Sequence, residues 1–157
     1  MLAENYKIVP LMNSADVSTG TDCDSFNMAN YHKATLIFTF GAVTTDITFT
    51  PKSGISAGTK TNAIPTKVAA GGAAIGTAVA ASTASCDVLA AWTATTTTHV
   101  LSAASNKVLV MEISAAAMTA GDNWVTVTVA AGTSGICHAV AILEPRYGSA
   151  RIGTCLA

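Results

Sequence analysis

Strict alternation of apolar and other side chains is the feature that most constrains how this chain can fold. From Ala34 to Phe40, every second residue is apolar and the residues between them are Thr or Ile. Residues 43–50, 107–114 and 124–129 also alternate between two faces. A period of two, carried by β-branched and aromatic residues, is typical of strands that bury one face. We therefore predict strands in these four segments.

Weaker signals extend the β pattern over the rest of the chain. Residues 5–12, 64–68 and 99–101 are predicted strands, and Pro10 requires the first of them to lie at a sheet edge or to carry a bulge. Residues 136–144 are nearly all apolar, which predicts a strand buried on both faces. Gly41-Ala42 favours a hairpin between its neighbouring strands. We predict polar loops over residues 13–25 and 51–62, a loop of weak strand character over the Ala- and Gly-rich residues 68–85, and one helical turn over residues 115–118.

Many short strands separated by turns indicate an all-β fold, either an antiparallel β-sandwich or a jelly-roll-like barrel with extended terminal arms. No linker or internal repeat divides the sequence. We therefore expect residues 1–157 to form a single domain, with an N-terminal strand or arm over residues 1–12 and an extended tail over residues 145–157.

The composition indicates a surface that other subunits cover. Half of the 157 residues are hydrophobic, whereas only 11% are charged and 6% aromatic. Typical soluble domains carry about 25% charged residues, so a free monomer with this surface would be poorly hydrated. We expect partner subunits to cover it; the alternative is a core of small residues beneath a Thr-rich surface.

The charge and hydropathy patterns exclude two kinds of partner. The net charge is -1 and the eight basic residues are scattered, whereas binding to phosphates requires a basic patch. No segment reaches the roughly 20 apolar residues of a spanning helix, and the first residues do not resemble a secretory signal. We expect neither nucleic-acid nor membrane binding, and synthesis in the cytoplasm.

No constellation of catalytic or metal-binding residues emerges. The sequence has no G-x-S-x-G motif and no closely spaced cysteine pair, so we predict a protein that is not an enzyme and has no cofactor. His138 is predicted to be a core or interface residue and His32 a surface residue. Asp16, Asp22 and Asp24 share one predicted loop, and the sequence does not decide whether this loop binds a cation or is a solvated polar loop. The cysteines are predicted to be free structural thiols: Cys23, Cys86, Cys137 and Cys155.

The two tryptophans, Trp92 and Trp124, are expected to pack in the core by default. Tryptophan is also enriched among the residues that anchor protein interfaces. For Trp92 we keep this interface role as the alternative.

Several short motifs resemble those of one protein family. They are NYKIVP at the start, FNMANYHKATLI, DVLAAW, NKVLVMEI, DNWV and, most distinctively, AILEPRY over residues 141–147. In this order the motifs resemble the small virion structural proteins of tailed bacteriophages, in particular the capsid decoration or cement proteins.

The resemblance implies a protein on the outer surface of a phage capsid. Its partners would be the major capsid protein and further copies of itself, in a homotrimer. Arg146, Tyr147 and Arg151 would anchor the C-terminal arm, unless they belong to an ordinary frayed terminus. A tail-tube, head–tail or fibre subunit remains an alternative, as does a module that binds a receptor or a glycan.

Overall fold

The fold is that of a computed structural model, which describes residues 5–70, 89–102, 107–133, 135–147 and 155–156. These segments form eleven strands and one 3₁₀ turn, at Ala115–Ala117. The strands are β1 (Lys7–Asp16), β2 (Thr21–Asp22), β3 (Phe26–Asn27), β4 (Tyr31–Phe40), β5 (Ile47–Gly54), β6 (Asn62–Ala63), β7 (Lys67–Ala70), β8 (His99–Leu101), β9 (Val108–Ser114), β10 (Trp124–Ala131) and β11 (Ile136–Pro145).

The strands form two antiparallel sheets that pack as a sandwich. Sheet A has the order β1-β11-β4-β9-β7. Sheet B has the order β2-β10-β5-β6, with β3 beside β10 and β8 beside β5. The sandwich prediction is therefore confirmed, and in the described segments the sheets do not close into the barrel that was its alternative.

Alternation along the strands builds the core between the sheets. The predicted inner residues of β4 and β9, such as Leu36 and Met111, are fully buried. Across the interface, Phe49 of sheet B makes edge-to-face contacts with Phe38 and Phe40 of sheet A, with ring centroids 5.2 Å and 5.7 Å apart. This geometry favours aromatic pairs beyond their buried area, so the three rings tie the two sheets together.

The hairpin predicted at Gly41-Ala42 is wrong. Strand β4 lies between β11 and β9 in sheet A, whereas β5 lies beside β10 in sheet B. Residues 41–46 therefore cross from one sheet to the other, and the Gly41 amide donates a hydrogen bond to the Ile136 carbonyl of β11. The apolar faces of β4 and β5 both point into the core. A crossing between the sheets satisfies this pattern as well as a hairpin would, so the pattern alone does not distinguish the two connections.

Strand β11 is buried on one face only, contrary to the prediction. Cys137, Ala139 and Ala141 point into the core, whereas Ile136 and Val140 are exposed at 41% and 36% on the outer face. No second layer of the described residues covers that face of the strand.

Two prolines lie within strands. Pro10 is in β1, an edge strand, directly before a register shift, so both parts of the prediction for Pro10 are confirmed. Pro51 lies in β5, inside the segment predicted to be a loop. Its carbonyl accepts from the Ile64 amide, away from β10. The carbonyl and the nitrogen of one strand residue point to the same side of the strand. The nitrogen of Pro51 therefore also faces away from β10, and its lack of a hydrogen removes no hydrogen bond between β5 and β10.

The chain ends depart from the predicted bounds. Strand β1 continues to Asp16, into the predicted loop. Pro145 is the last residue of β11, and Cys155 and Leu156 lie against the body of the sandwich, where Leu156 forms a β-bridge with Phe26. The Ala- and Gly-rich residues 71–88, Cys86 among them, and Arg151 lie outside the described residues.

Candidate interaction surface

The three histidines lie at separate places in the fold. His32 is exposed, as predicted, and its Nε2 lies 3.2 Å from the Glu144 carboxylate. His99 is buried, and its Nε2 lies 2.8 Å from Thr66 Oγ1. His138 is on the exposed outer face of β11. Of the two places predicted for it, the core is therefore wrong, and the interface stays a prediction.

His138 and Ser14 form a contact that resembles part of a catalytic dyad. The Ser14 amide donates to His138 Nδ1 at 3.2 Å, and Ser14 Oγ lies 3.4 Å from Nε2. Because Nδ1 accepts, the neutral ring carries its proton on Nε2, which then donates to the hydroxyl. A general base must accept the serine proton instead, so this contact does not activate Ser14.

The aspartates of the predicted loop have different partners. Asp16 accepts from the amides of Ser18 and Gly135. Asp22 accepts from Lys60 at 2.7 Å and from Thr128 at 2.6 Å. Burial alone would raise the pKa of Asp22, but these two hydrogen bonds lower it below its usual value. Across the described segments, no group of three or more His, Cys, Asp or Glu residues is arranged to hold a metal ion.

Three of the four cysteines are described, and each is a free, buried thiol. Burial raises the pKa of Cys137 to about 12 and also raises the pKa of Cys23 and Cys155. Because the thiolate is the reactive form, these groups are inert at neutral pH. Their role is packing in the core, as predicted.

Apolar side chains cross most of the outer face of sheet A. Pro10 of β1 pairs with Val140 of β11, Val140 with Ile37 of β4, and Ile37 with Val110 of β9. Directly paired residues project from the same face of a sheet, so these four residues form one line, here called the apolar row. Ile8, exposed at 47%, lies beside it.

The outer face of sheet B has a different character. Thr50 of β5 pairs with Thr128 of β10, and Thr48 pairs with Ala130. Thr128 also binds Asp22, which in turn binds Lys60. Val100 of β8, exposed at 60%, pairs with Thr48 on the same face. The outer face of sheet B therefore combines hydroxyls and one ion pair with this exposed apolar side chain at its edge, rather than a continuous apolar line.

The end of sheet A where β4 begins carries four of the seven described lysines and arginines, together with His32. Lys33 forms a salt bridge with Glu112, and the backbone pairing sets Lys67 directly opposite the same glutamate. Arg146 Nε donates to the Tyr31 carbonyl at 2.9 Å. The basic groups at this end are Lys7, His32, Lys33, Lys67 and Arg146, against the acidic Glu112 and Glu144.

The predicted interface residues are exposed where the structure describes them. Trp92 is 45% exposed, which makes core packing wrong for this tryptophan, and its neighbour Thr93 hydrogen bonds to β7 at the edge of sheet A. Tyr147 is 73% exposed and follows Arg146 at the basic end. The structure does not bring Trp92 together with these two residues. The apolar row as a whole was not predicted. Its signals in the sequence are the apolar residues of 136–144, Ile37 between two outward-facing threonines, and Val110, which alternation in 107–114 places opposite the predicted core face and which could therefore face a partner.

The described segments contain no helix with the length and hydrophobicity that a membrane crossing requires.

Comparison with known proteins gives a likeness of fold. No model of a protein family matches the chain, and no curated protein sequence matches it. Among solved structures, the chain is similar to YomS, a protein derived from the SPBc2 prophage, with a TM-score of 0.50 and 12% identity. The similarity covers 88% of this chain and 93% of YomS. At this identity the likeness establishes a shared β architecture.

Proposed function

We propose that this chain is a structural protein of a phage virion, without enzymatic activity, that binds the outer surface of the assembled capsid and stabilises it as a homotrimer. The observation that carries the proposal is the fold shared with a prophage-derived protein over 88% of the chain. The motifs that resemble decoration proteins, ending in the segment at residues 141–147, narrow it to the capsid.

The apolar row supports a partner of large, flat surface. Pro10, Val140, Ile37 and Val110 belong to four neighbouring strands, so they present a broad face rather than a cleft. Covering such a face removes apolar surface from water, which favours association. A protein that binds only the assembled shell stabilises it by mass action.

The proposal predicts that one charge in the apolar row weakens binding to particles. In Val140→Asp, a carboxylate would be buried against the shell without a partner, so we expect affinity for particles to fall by roughly tenfold or more. The measurement is co-sedimentation of purified protein with particles that lack it, made by the phage that encodes the chain. Thr50→Asp, the same charge on the outer face of sheet B, is the matched control and should bind as the wild type does.

A density map of particles with bound protein tests where the protein lies. Density outside the shell between capsomers agrees with the proposal, whereas density confined to the tail assigns the chain to a tail-tube, head–tail or fibre component. Binding to isolated receptors or glycans without binding to particles would favour a recognition module. Light scattering during size exclusion tests the trimer, which a stable monomer at micromolar concentration would contradict.

A further inference from the structure

A cavity of about 370 Å³ opens at the basic end of sheet A. Its walls come from the first residues of β4, the last residues of β9, the segment that enters β7 and the neighbouring strand-like segment near Thr95. The lining residues are His32, Lys33, Pro65, Thr66, Lys67, Thr95, Glu112, Ile113 and Ser114. Its volume lies in the range of about 300–1,000 Å³ that is typical of ligand pockets.

The charges in this pocket do not balance. Glu112 is the only carboxylate among the described lining residues, and it binds the Lys33 ammonium while lying opposite Lys67. The nearby Glu144 is engaged by His32. Two lysines therefore share one glutamate, and Lys67 has no ion pair of its own with any described residue.

Hydroxyl groups add donors beside the lysines. Ser114 Oγ accepts from the Ala116 amide at 3.3 Å, which leaves the hydroxyl proton of Ser114 free to donate. Thr95 places a second hydroxyl in the lining. A ligand group that enters here meets several donors and one acceptor that is already bound.

A single carboxylate matches this arrangement in charge, and the remaining volume of the cavity leaves room for the peptide that carries it. It would receive charge-assisted hydrogen bonds, which are stronger than neutral ones. A nucleic-acid backbone matches poorly, because it needs a longer basic track, whereas Lys52, Lys60 and Lys107 lie away from the pocket.

We infer that this pocket binds the carboxylate of an acidic peptide segment, with Lys67 as the principal contact and Lys33 and Ser114 as further donors. The inference goes beyond the proposed function, because it concerns the ligand of one pocket and stands whether or not the chain belongs to a virion.

The test uses a blocked peptide, acetyl-Gly-Glu-Gly-Glu-Gly-amide, titrated into the ¹⁵N-labelled protein at low salt. We expect amide shifts to concentrate on residues 32–33, 66–67, 95 and 112–114. In Lys67→Gln the dissociation constant should rise about fivefold, the upper value of one partly exposed ion pair. Lys52→Gln removes the same charge from sheet B and should change it less than twofold. Thermal unfolding of both variants checks that the fold is retained.

Three results would overturn the inference. They are equal binding of the twin peptide with Gln in place of Glu, shifts that lie outside the pocket, and unchanged affinity in Lys67→Gln. Failure of the proposed function is a separate outcome: a protein that binds the acidic peptide but not phage particles would keep the pocket and lose the virion role.

Discussion

The imidazole of His99 is a buried ionisable group, and it makes stability depend on pH. Burial lowers the pKa of His99, while the contact with Thr66 raises it by less. The unfolded chain, with a histidine pKa of about 6.5, therefore binds more protons than the folded chain in mildly acidic solution. We expect the free energy of unfolding to be unaffected by His99 above pH 6.5 and to fall as the pH drops below it. Urea unfolding at a series of pH values between 5 and 8 measures this.

Two variants isolate the contribution of His99. His99→Gln removes the titration and should flatten the dependence on pH in this range. His32→Gln, on the exposed surface, should keep it. An unchanged pH dependence in His99→Gln would mean that another group is responsible.

Gly54 at the end of β5 has no room for a side chain. A Cβ there would clash with the Thr59 carbonyl oxygen, which belongs to the backbone and cannot turn away. We expect Gly54→Ala to lower the free energy of unfolding by roughly 1–3 kcal/mol, the usual cost of overpacking.

Gly41→Ala serves as the control for this position, because its Cβ would meet atoms no closer than 3.8 Å. Chemical denaturation of the two variants side by side should separate them. Equal stabilities would show that the turn around Thr59 yields at little cost.

At the level of elements, the contact between β4 and β5 couples the two sheets. Phe38 and Phe49 pack edge to face, and such pairs contribute about 0.5–1.5 kcal/mol beyond buried area. A double-mutant cycle with Phe38→Leu and Phe49→Leu should return a coupling energy in this range. A value near zero would mean that the rings contribute only through their area.

The strands could be predicted from the sequence because their signal is local. The alternation in β4 and β9 identifies both the strand and its buried face, and Pro10 identifies an edge. Pairing between strands is not local. Gly41-Ala42 offers a turn, but β4 and β5 pair instead with β11 and β10, whose paired residues are 70 or more positions away in the sequence. The pairing of strands therefore depends on all the strands together and not on the turn between two of them.

From low charge and many small residues, the sequence predicts that partners cover part of the surface, and this stays a prediction. The candidate contacts Trp92 and Tyr147 are exposed. The apolar row joins residues 10, 37, 110 and 140, which the register between distant strands brings into line. The lysine pocket depends on the same register, because it sets Lys67 opposite Glu112. Neither arrangement has a signature in consecutive residues.

For the whole molecule, the difference between the two outer faces predicts its orientation on a shell. Sheet A combines the apolar row with the basic end, whereas sheet B presents threonines, an ion pair and the exposed Val100 at its edge. Two lysines, one near each outer face, have similar exposure and one ion pair each, so their chemical reactivity can be compared directly. Lys33 on sheet A is 38% exposed in its pair with Glu112, and Lys60 beside sheet B is 36% exposed in its pair with Asp22.

An amine-reactive reagent should therefore modify Lys33 and Lys60 to similar extents in the free protein. On particles, we expect modification of Lys33 to fall several-fold while Lys60 stays reactive, because contact through sheet A removes water and reagent from that face. Mass spectrometry of peptides from both samples gives the two ratios. Selective protection of Lys60 would indicate that sheet B, and not sheet A, faces the shell. The apolar row would then have to be covered by a second copy of the chain rather than by the capsid.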